Sequence, residues 1–178
     1  MKMAQLVMKR PPGADPLPPE SPIKVREATR ADAEAIALLM SAAFPEMTWD
    51  ATRANKDLFD ASDVPVTYVI EENGSIIATA SVRYHERFPG AGYVHWVGVD
   101  PAQRGRRLGT VVMAKVIRRF FADGRTFSIL ETDDFRLPAI ASYLGQGFIP
   151  HYIDPDHEGR WSKVFEQLAQ GRRTAGNK

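Results

Sequence analysis

Val97-Gly98-Val99-Asp100-Pro101-Ala102-Gln103-Arg104-Gly105-Arg106-Arg107-Leu108-Gly109 is the stretch on which the reading of this chain turns. An apolar strand feeds through Asp100-Pro101 into a helix expected to be opened by Gly105 and closed off at Gly109. Glycines let backbone amides approach a ligand, and the first turn of a helix leaves amides without internal partners, so such a junction is a ready anion site. Arg104, Arg106, Arg107, Lys115, Arg118 and Arg119 fall between Pro101 and Ala122, and no acidic residue does. Helix dipole and side chains therefore favour negative charge together, and a pyrophosphate is the expected guest. The Lys-Ser/Thr of a Walker loop and the dinucleotide Gly-x-Gly-x-x-Gly are both missing.

Upstream, Tyr93 to Val99 is apolar on both faces, as a central strand would be. Before it, Val64, Val66, Tyr68 and Ile70 alternate up to Asn73-Gly74, and Ser75 to His85 alternates on the way back. Asn-Gly between two alternating runs predicts a hairpin. Ile23 to Ala28 reads as a short strand, and Thr29 with Asp32 as a helix cap. Ala33, Ile36, Ala37, Met40 and Phe44 then line one helical face until Pro45, and a weaker helix is expected over 49–59.

Downstream, Val112, Met113, Val116, Ile117 and Phe120 form the buried stripe of a long helix that ends at Asp123-Gly124. A strand over 126–132, a short helix over 138–144, a strand starting at Gly147 and a C-terminal helix marked by Trp161, Val164, Phe165 and Leu168 complete the chain. This order predicts a mixed α/β fold, with flanking helices around a mostly antiparallel central sheet. The helical crossover from 93–99 to 126–132 makes that one pair parallel. Residues 1–22, with the run PPGADPLPPESP, read as a proline-rich arm, 23–170 as a single domain and 171–178 as a flexible tail.

The chain of 178 residues has no cysteine, which excludes disulfides, thiolate metal sites and a cysteine nucleophile and leaves a cytoplasmic setting as the default. A net charge of +1 counts against nucleic acid as a partner. No apolar run approaches the roughly 20 residues that span a membrane. Leu6-Val7-Met8 is too short for a signal-peptide core. The four histidines show no helical ligand pair with a carboxylate, so no metal is expected.

Arg104-Gly105-Arg106-Arg107-Leu108-Gly109 resembles the acetyl-CoA motif Gln/Arg-x-x-Gly-x-Gly/Ala of the GNAT acyltransferase superfamily, with Arg107 standing where the family has its middle glycine. Ala139 to Phe148 resembles the family's Ala-x-x-x-Tyr-x-x-x-Gly-Phe stretch, and the two motifs occur in the family's order. The resemblance covers roughly residues 23–153. It implies a parallel strand pair splayed apart to admit the pantetheine arm, with Val97 and Val99 giving backbone hydrogen bonds and Gly98 permitting a bulge. It implies that the Val97 amide polarises the thioester carbonyl and that the amides from Arg104 through Gly105, Arg106, Arg107, Leu108 and Gly109 to Thr110 hold the pyrophosphate. Arg106 or Arg107 would reach the ribose phosphate. Tyr143 matches the family's general acid.

The general base is less defined. Glu131 ends the strand that lines the gap, and His95 shares a face with Val97 two residues on. A water relay is the third possibility. Tyr93 stands where some relatives carry a glutamate. The implied activity is transfer of an acetyl group from acetyl-CoA, as co-substrate, to the amine of a small molecule or peptide by direct attack, in a monomer or homodimer. A catalytically idle acyl-CoA sensor is the alternative. The family builds its acceptor surface from segments equivalent here to about 40–62 and 85–92 and from the C-terminal end, in which no motif names a substrate. Acidic loops at Glu131-Thr132-Asp133-Asp134 and Asp154-Pro155-Asp156-His157-Glu158 would attract a cationic amine, or are simply solvated. Trp49, Trp96 and Trp161 read as core or lid packing.

Overall fold

The computed structural model describes residues 4–14, 17 and 21–175, and what the sequence predicts for the others lies outside the described residues. In chain order the elements are β1 (Leu6–Arg10), β2 (Arg26–Glu27), a 3-10 turn (Arg30–Asp32), α1 (Ala33–Ala43), α2 (Ala51–Ala54), a π-helical turn (Asn55–Phe59), β3 (Val66–Glu72), β4 (Ser75–Arg83), β5 (Gly92–Val99), a 3-10 turn (Pro101–Gln103), α3 (Leu108–Ala122), β6 (Ser128–Thr132), α4 (Leu137–Leu144), β7 (Ile149–Pro150) and α5 (His157–Ala175). The fold is mixed α/β. The chain divides into two compact units, Pro16–Ser128 and a split unit of Met1–Asp15 with Ile129–Lys178.

In the 16–128 unit the strands lie in the order β2-β3-β4-β5, each antiparallel to the next. The β3–β4 hairpin turns on Asn73 (φ 51°) and Gly74 (φ 76°), both left-handed as a two-residue hairpin loop requires. The amide of Gly92, first residue of β5, donates to the carbonyl of Phe127 at 3.0 Å, so the chain leaving α3 returns beside the start of β5. That is where a parallel neighbour must begin after a helical crossover.

Two helices bury their stripes in this unit. Ile36, Ala37, Leu39 and Met40 of α1 join Trp49, Ala54, Leu58, Val69 and Ile76 in one cluster. Val112, Met113, Val116, Ile117 and Phe120 of α3 are all at most 1% exposed. Each such side chain contributes about 1.5–3 kcal/mol by leaving water. Close packing explains two glycines. A Cβ on Gly92 would lie 2.2 Å from the Phe120 ring, and one on Gly98 would lie 2.6 Å from Met40 Sδ. The entry to α1 is fixed by a capping box, with the Thr29 amide donating to Asp32 at 2.7 Å. Arg26 of β2 holds the same carboxylate at 2.8 Å and Glu71 of β3 at 2.6 Å, which draws the Asp32 carboxyl down to about 2.

The split unit orders its strands β6-β1-β7, with Met8 opposite Pro150 and Lys9 opposite Ile149. The sequence reading places residues 6–10 in an arm. Instead Leu6, Val7 and Met8 are fully buried, the His151 amide donates to the Val7 carbonyl at 2.8 Å, and Arg10 Nε donates to the Gln146 carbonyl at 3.0 Å. The tail expected from 171 also differs, because α5 continues to Ala175. Trp161 and Val164 are buried on α5 as expected, whereas Phe165 is 41% exposed.

Candidate active site

The turn after β5 departs from expectation in its helix start. α3 begins at Leu108, not Gly105, and Arg107 is its N-cap in the left-handed conformation (φ 59°, ψ 23°). Gly105 is left-handed too (φ 82°). Arg107 thus replaces the motif's middle glycine yet keeps the backbone that glycine adopts freely. The Arg107 carbonyl accepts the first helical bond, from Val111 at 3.1 Å. The amides of Leu108, Gly109 and Thr110 at the head of the helix therefore have no intrahelical partner. Gly109 sits close to β5, since a Cβ there would touch Val99 Cγ2 at 3.4 Å.

The three arginines of the turn are not equivalent. Arg106 is held by Glu72 through both carboxylate oxygens, at 2.8 and 2.9 Å, and by Gln103 at 2.6 Å. Arg104 and Arg107 form no ion pair or side-chain hydrogen bond among the described residues.

β5 carries a bulge, but not at Gly98. Ser81 of β4 faces His95 and Thr79 faces Gly98, so Ala80 alone spans the interval that holds Trp96 and Val97. Trp96 takes up the irregularity at φ 46°, a rare conformation for a bulky residue. Gly98 is instead required by Met40. Val97, expected to polarise the thioester, lies inside the bulge and out of register with β4.

The bulge places Trp96 against α1 and α2. Its ring meets Phe44 edge-on at 5.7 Å and Trp49 edge-on at 4.8 Å, and the Arg53 guanidinium lies 4.4 Å from the Trp49 ring. Arg53 is itself engaged by Asp57 and the Thr48 carbonyl. On the other side Trp96 meets His95 (5.4 Å), His95 meets Tyr93 (6.0 Å), and Tyr93 stacks on Phe88 (5.9 Å, 17°). A continuous row of rings therefore runs along β5.

His95 is half-buried, and neither of its ring nitrogens has a hydrogen-bond partner among the described residues. Burial pushes its pKa down to about 3, helped by Arg83 and His85 and opposed by Asp63. Arg83 and Asp63 pair at 2.6 Å.

Tyr143 and Glu131 lie in the split unit, on α4 and β6. The Tyr143 ring is 6.3 Å from Phe148, and its hydroxyl has no hydrogen-bond partner among the described residues. Burial raises its pKa to about 12, with Arg136 pulling the other way. Glu131 is half-buried. Three carboxylates of the acidic loops, Asp133, Asp134 and Asp156, are paired with arginines. Asp134 and Asp156 both bind Arg160, at 2.5 and 3.1 Å, Asp133 lies 3.5 Å from Arg136, and Asp154 lies 3.3 Å from the fully buried His157. His157 is accordingly a packed residue at the start of α5 and not part of an exposed loop.

The model of the acetyltransferase (GNAT) family matches residues 34–148, well over half of the chain. The chain belongs to the GNAT acetyltransferase family. It is 32% identical over 93 residues to the mycothiol acetyltransferase of Amycolatopsis mediterranei (strain U-32), a match covering 49% of this chain and 31% of that one, so the chain spans under a third of that relative. Among solved structures it is similar to a GNAT-family protein from Novosphingobium aromaticivorans DSM 12444 (TM-score 0.63, 21% identity, 84% of this chain and 61% of that one). It is also similar to the ribosomal-protein-S18-alanine N-acetyltransferase of Escherichia coli (TM-score 0.62, 18% identity, 72% and 79%). At these identities the two structures bear on the fold, which is the GNAT fold. In this GNAT chain the passage from strand through turn to helix was legible in the sequence, but the ring row was not. Its signal was the cluster Tyr93, His95 and Trp96 within one strand.

Proposed function

We propose that this chain is an N-acetyltransferase that moves the acetyl group of acetyl-CoA to an amine. The reading rests on family membership and on one structural observation, three unpartnered amides heading a 15-residue helix beside two uncommitted arginines. The Leu108, Gly109 and Thr110 amides would hold the diphosphate, with the helix dipole adding to the attraction. Arg107 would take the ribose phosphate, because Arg106 is already occupied by Glu72. Val97 and Val99 would present backbone groups to the pantetheine, and the Val97 amide would polarise the thioester carbonyl.

Acetyl-CoA supplies a thioester, and with no cysteine in the chain the amine attacks it directly. The C–N bond forms, the C–S bond breaks, the amine nitrogen loses one proton and the thiolate gains one. Tyr143, protonated up to about pH 12, would donate a hydrogen bond and then the proton to the departing sulfur. His95 or Glu131 would accept from the amine, directly or through water.

The test is a melting experiment with acetyl-CoA and free CoA, followed by thiol-release assays with amines. At a hundredfold excess over Kd, acetyl-CoA is expected to add about 2.7 kcal/mol of stability. Absence of any stabilisation would overturn the reading. Stabilisation without thiol release over a broad amine panel would mark the chain as an acyl-CoA sensor.

A further inference from the structure

Resting on the acetyltransferase reading, we infer that the acceptor is a weakly basic amine carried on an aromatic ring, recognised by the row of rings along β5 and by the neutral His95 imidazole. Six rings lie in succession, Phe88 and His85 from the loop before β5, Tyr93, His95 and Trp96 on β5, and Trp49 from the segment before α2. The half-buried members of the row, Phe88, His85, His95 and Trp96, can meet a flat aromatic partner by stacked or edge-on contact, worth about 0.5–1.5 kcal/mol per pair beyond the area buried.

Two polar features in the row lack partners in the protein. Both nitrogens of His95 are uncommitted, and the Trp49 indole N–H is buried with no hydrogen-bond partner among the described residues. A buried indole N–H ordinarily finds one. The strained backbone of Trp96 points the same way, because a φ of 46° at a tryptophan persists only where the surroundings over-determine it, and such outliers gather at functional sites.

The charges argue for a neutral nitrogen. The groups facing His95 are Arg83, Asp63 and His85, and the arginine and aspartate cancel in their ion pair. Arg53 beside Trp49 is balanced by Asp57. Among the described residues no carboxylate facing His95 is left unpaired, so an ammonium would find only the ring faces there. An imidazole that resists protonation is also too weak a base to strip an alkylammonium. An arylamine arrives already neutral. Its nitrogen attacks the thioester carbon, thiolate leaves, and the nitrogen becomes acidic enough in the adduct to release its proton to His95 or water, giving amide and thiol.

Four probes separate the two attributes: aniline (ring, weakly basic), benzylamine (ring, strongly basic), methoxyamine (no ring, weakly basic) and butylamine (neither). The proposal expects kcat/KM for aniline to exceed that for butylamine by at least about tenfold, with a flat profile from about pH 6 to 9. It expects Trp96→Ala to narrow the gap between aniline and methoxyamine, while Trp96→Phe, which keeps a ring, preserves it. A preference for butylamine or benzylamine over aniline would overturn the proposal and leave the acetyltransferase reading intact. So would a protein that binds acetyl-CoA but acetylates none of the four. Failure to bind acetyl-CoA would remove the underlying reading instead, and the proposal with it.

Discussion

Glu72, at the end of β3, grips both terminal nitrogens of Arg106 from the turn before α3, at 2.8 and 2.9 Å. The neighbouring arginine, Arg107, has no such partner among the described residues and holds a left-handed backbone. One arginine therefore braces the turn, and the other is uncommitted.

Arg107→Gly should consequently move two observables in opposite directions. Glycine relieves the left-handed strain, worth about 1–2 kcal/mol, so the melting temperature of the free protein should rise by a few degrees. Loss of the guanidinium should weaken acetyl-CoA binding by about ten- to a hundredfold, since a charge-assisted hydrogen bond is worth about 1.5–3 kcal/mol. Arg106→Gln should cost less affinity than Arg107→Gly. Calorimetric melting and isothermal titration give both numbers, and a larger loss at Arg106 would reverse the assignment.

Tyr143→Phe keeps the ring packed on Phe148 and removes the proton. Thiol release should fall by about a hundredfold with acetyl-CoA affinity unchanged. Because burial holds the hydroxyl protonated up to about 12, the wild-type rate should show no alkaline limb from this residue below about pH 10. Full turnover by the variant at every pH would remove Tyr143 from the chemistry.

His95 makes stability depend on acid. Its folded-state pKa is near 3, whereas an unfolded histidine titrates near 6.5, so between these values the unfolded chain binds the extra proton. The contribution is fully present above about 6.5 and is lost as pH falls toward 3, at up to about 1.4 kcal/mol per unit. Urea unfolding of wild type at pH 7 and pH 5 should differ by on the order of 1–2 kcal/mol more than unfolding of His95→Gln does. Parallel curves would show that the imidazole is not shielded from protonation.

Gly98→Ala tests the assignment of that glycine to packing. A methyl group would meet Met40 Sδ at 2.6 Å, so the variant should lose about 1–3 kcal/mol. The double variant Gly98→Ala with Met40→Ala should recover part of the Gly98→Ala loss relative to Met40→Ala alone, as measured by the non-additivity of denaturant midpoints.

What could be read in advance was local. The Thr29–Asp32 cap, the left-handed Asn73-Gly74 pair and the α3 stripe are each written in a handful of adjacent residues, and each is present. The features that escaped depend on distant partners. β1 is five residues long, and its ladder to β7 joins positions about 140 residues apart, which no periodicity discloses. The bulge at Trp96 follows from how β4 and β5 are matched, so the glycine two residues on was the natural suspect. The start of α3 was misplaced because an arginine, not a glycine, takes the left-handed step into the helix. His95 was visible as a candidate, but its depressed basicity comes first from burial in the folded protein, then from Arg83 and His85.

The position of β1 between β6 and β7 bears on how the protein is made. Leu6 to Met8 leave the ribosome long before Ile149, yet nothing in their own neighbourhood can cover them. During synthesis of the intervening residues an unsatisfied apolar ribbon must travel with the nascent polypeptide, a demand on chaperones that a fold with its strands paired in order of translation would not make.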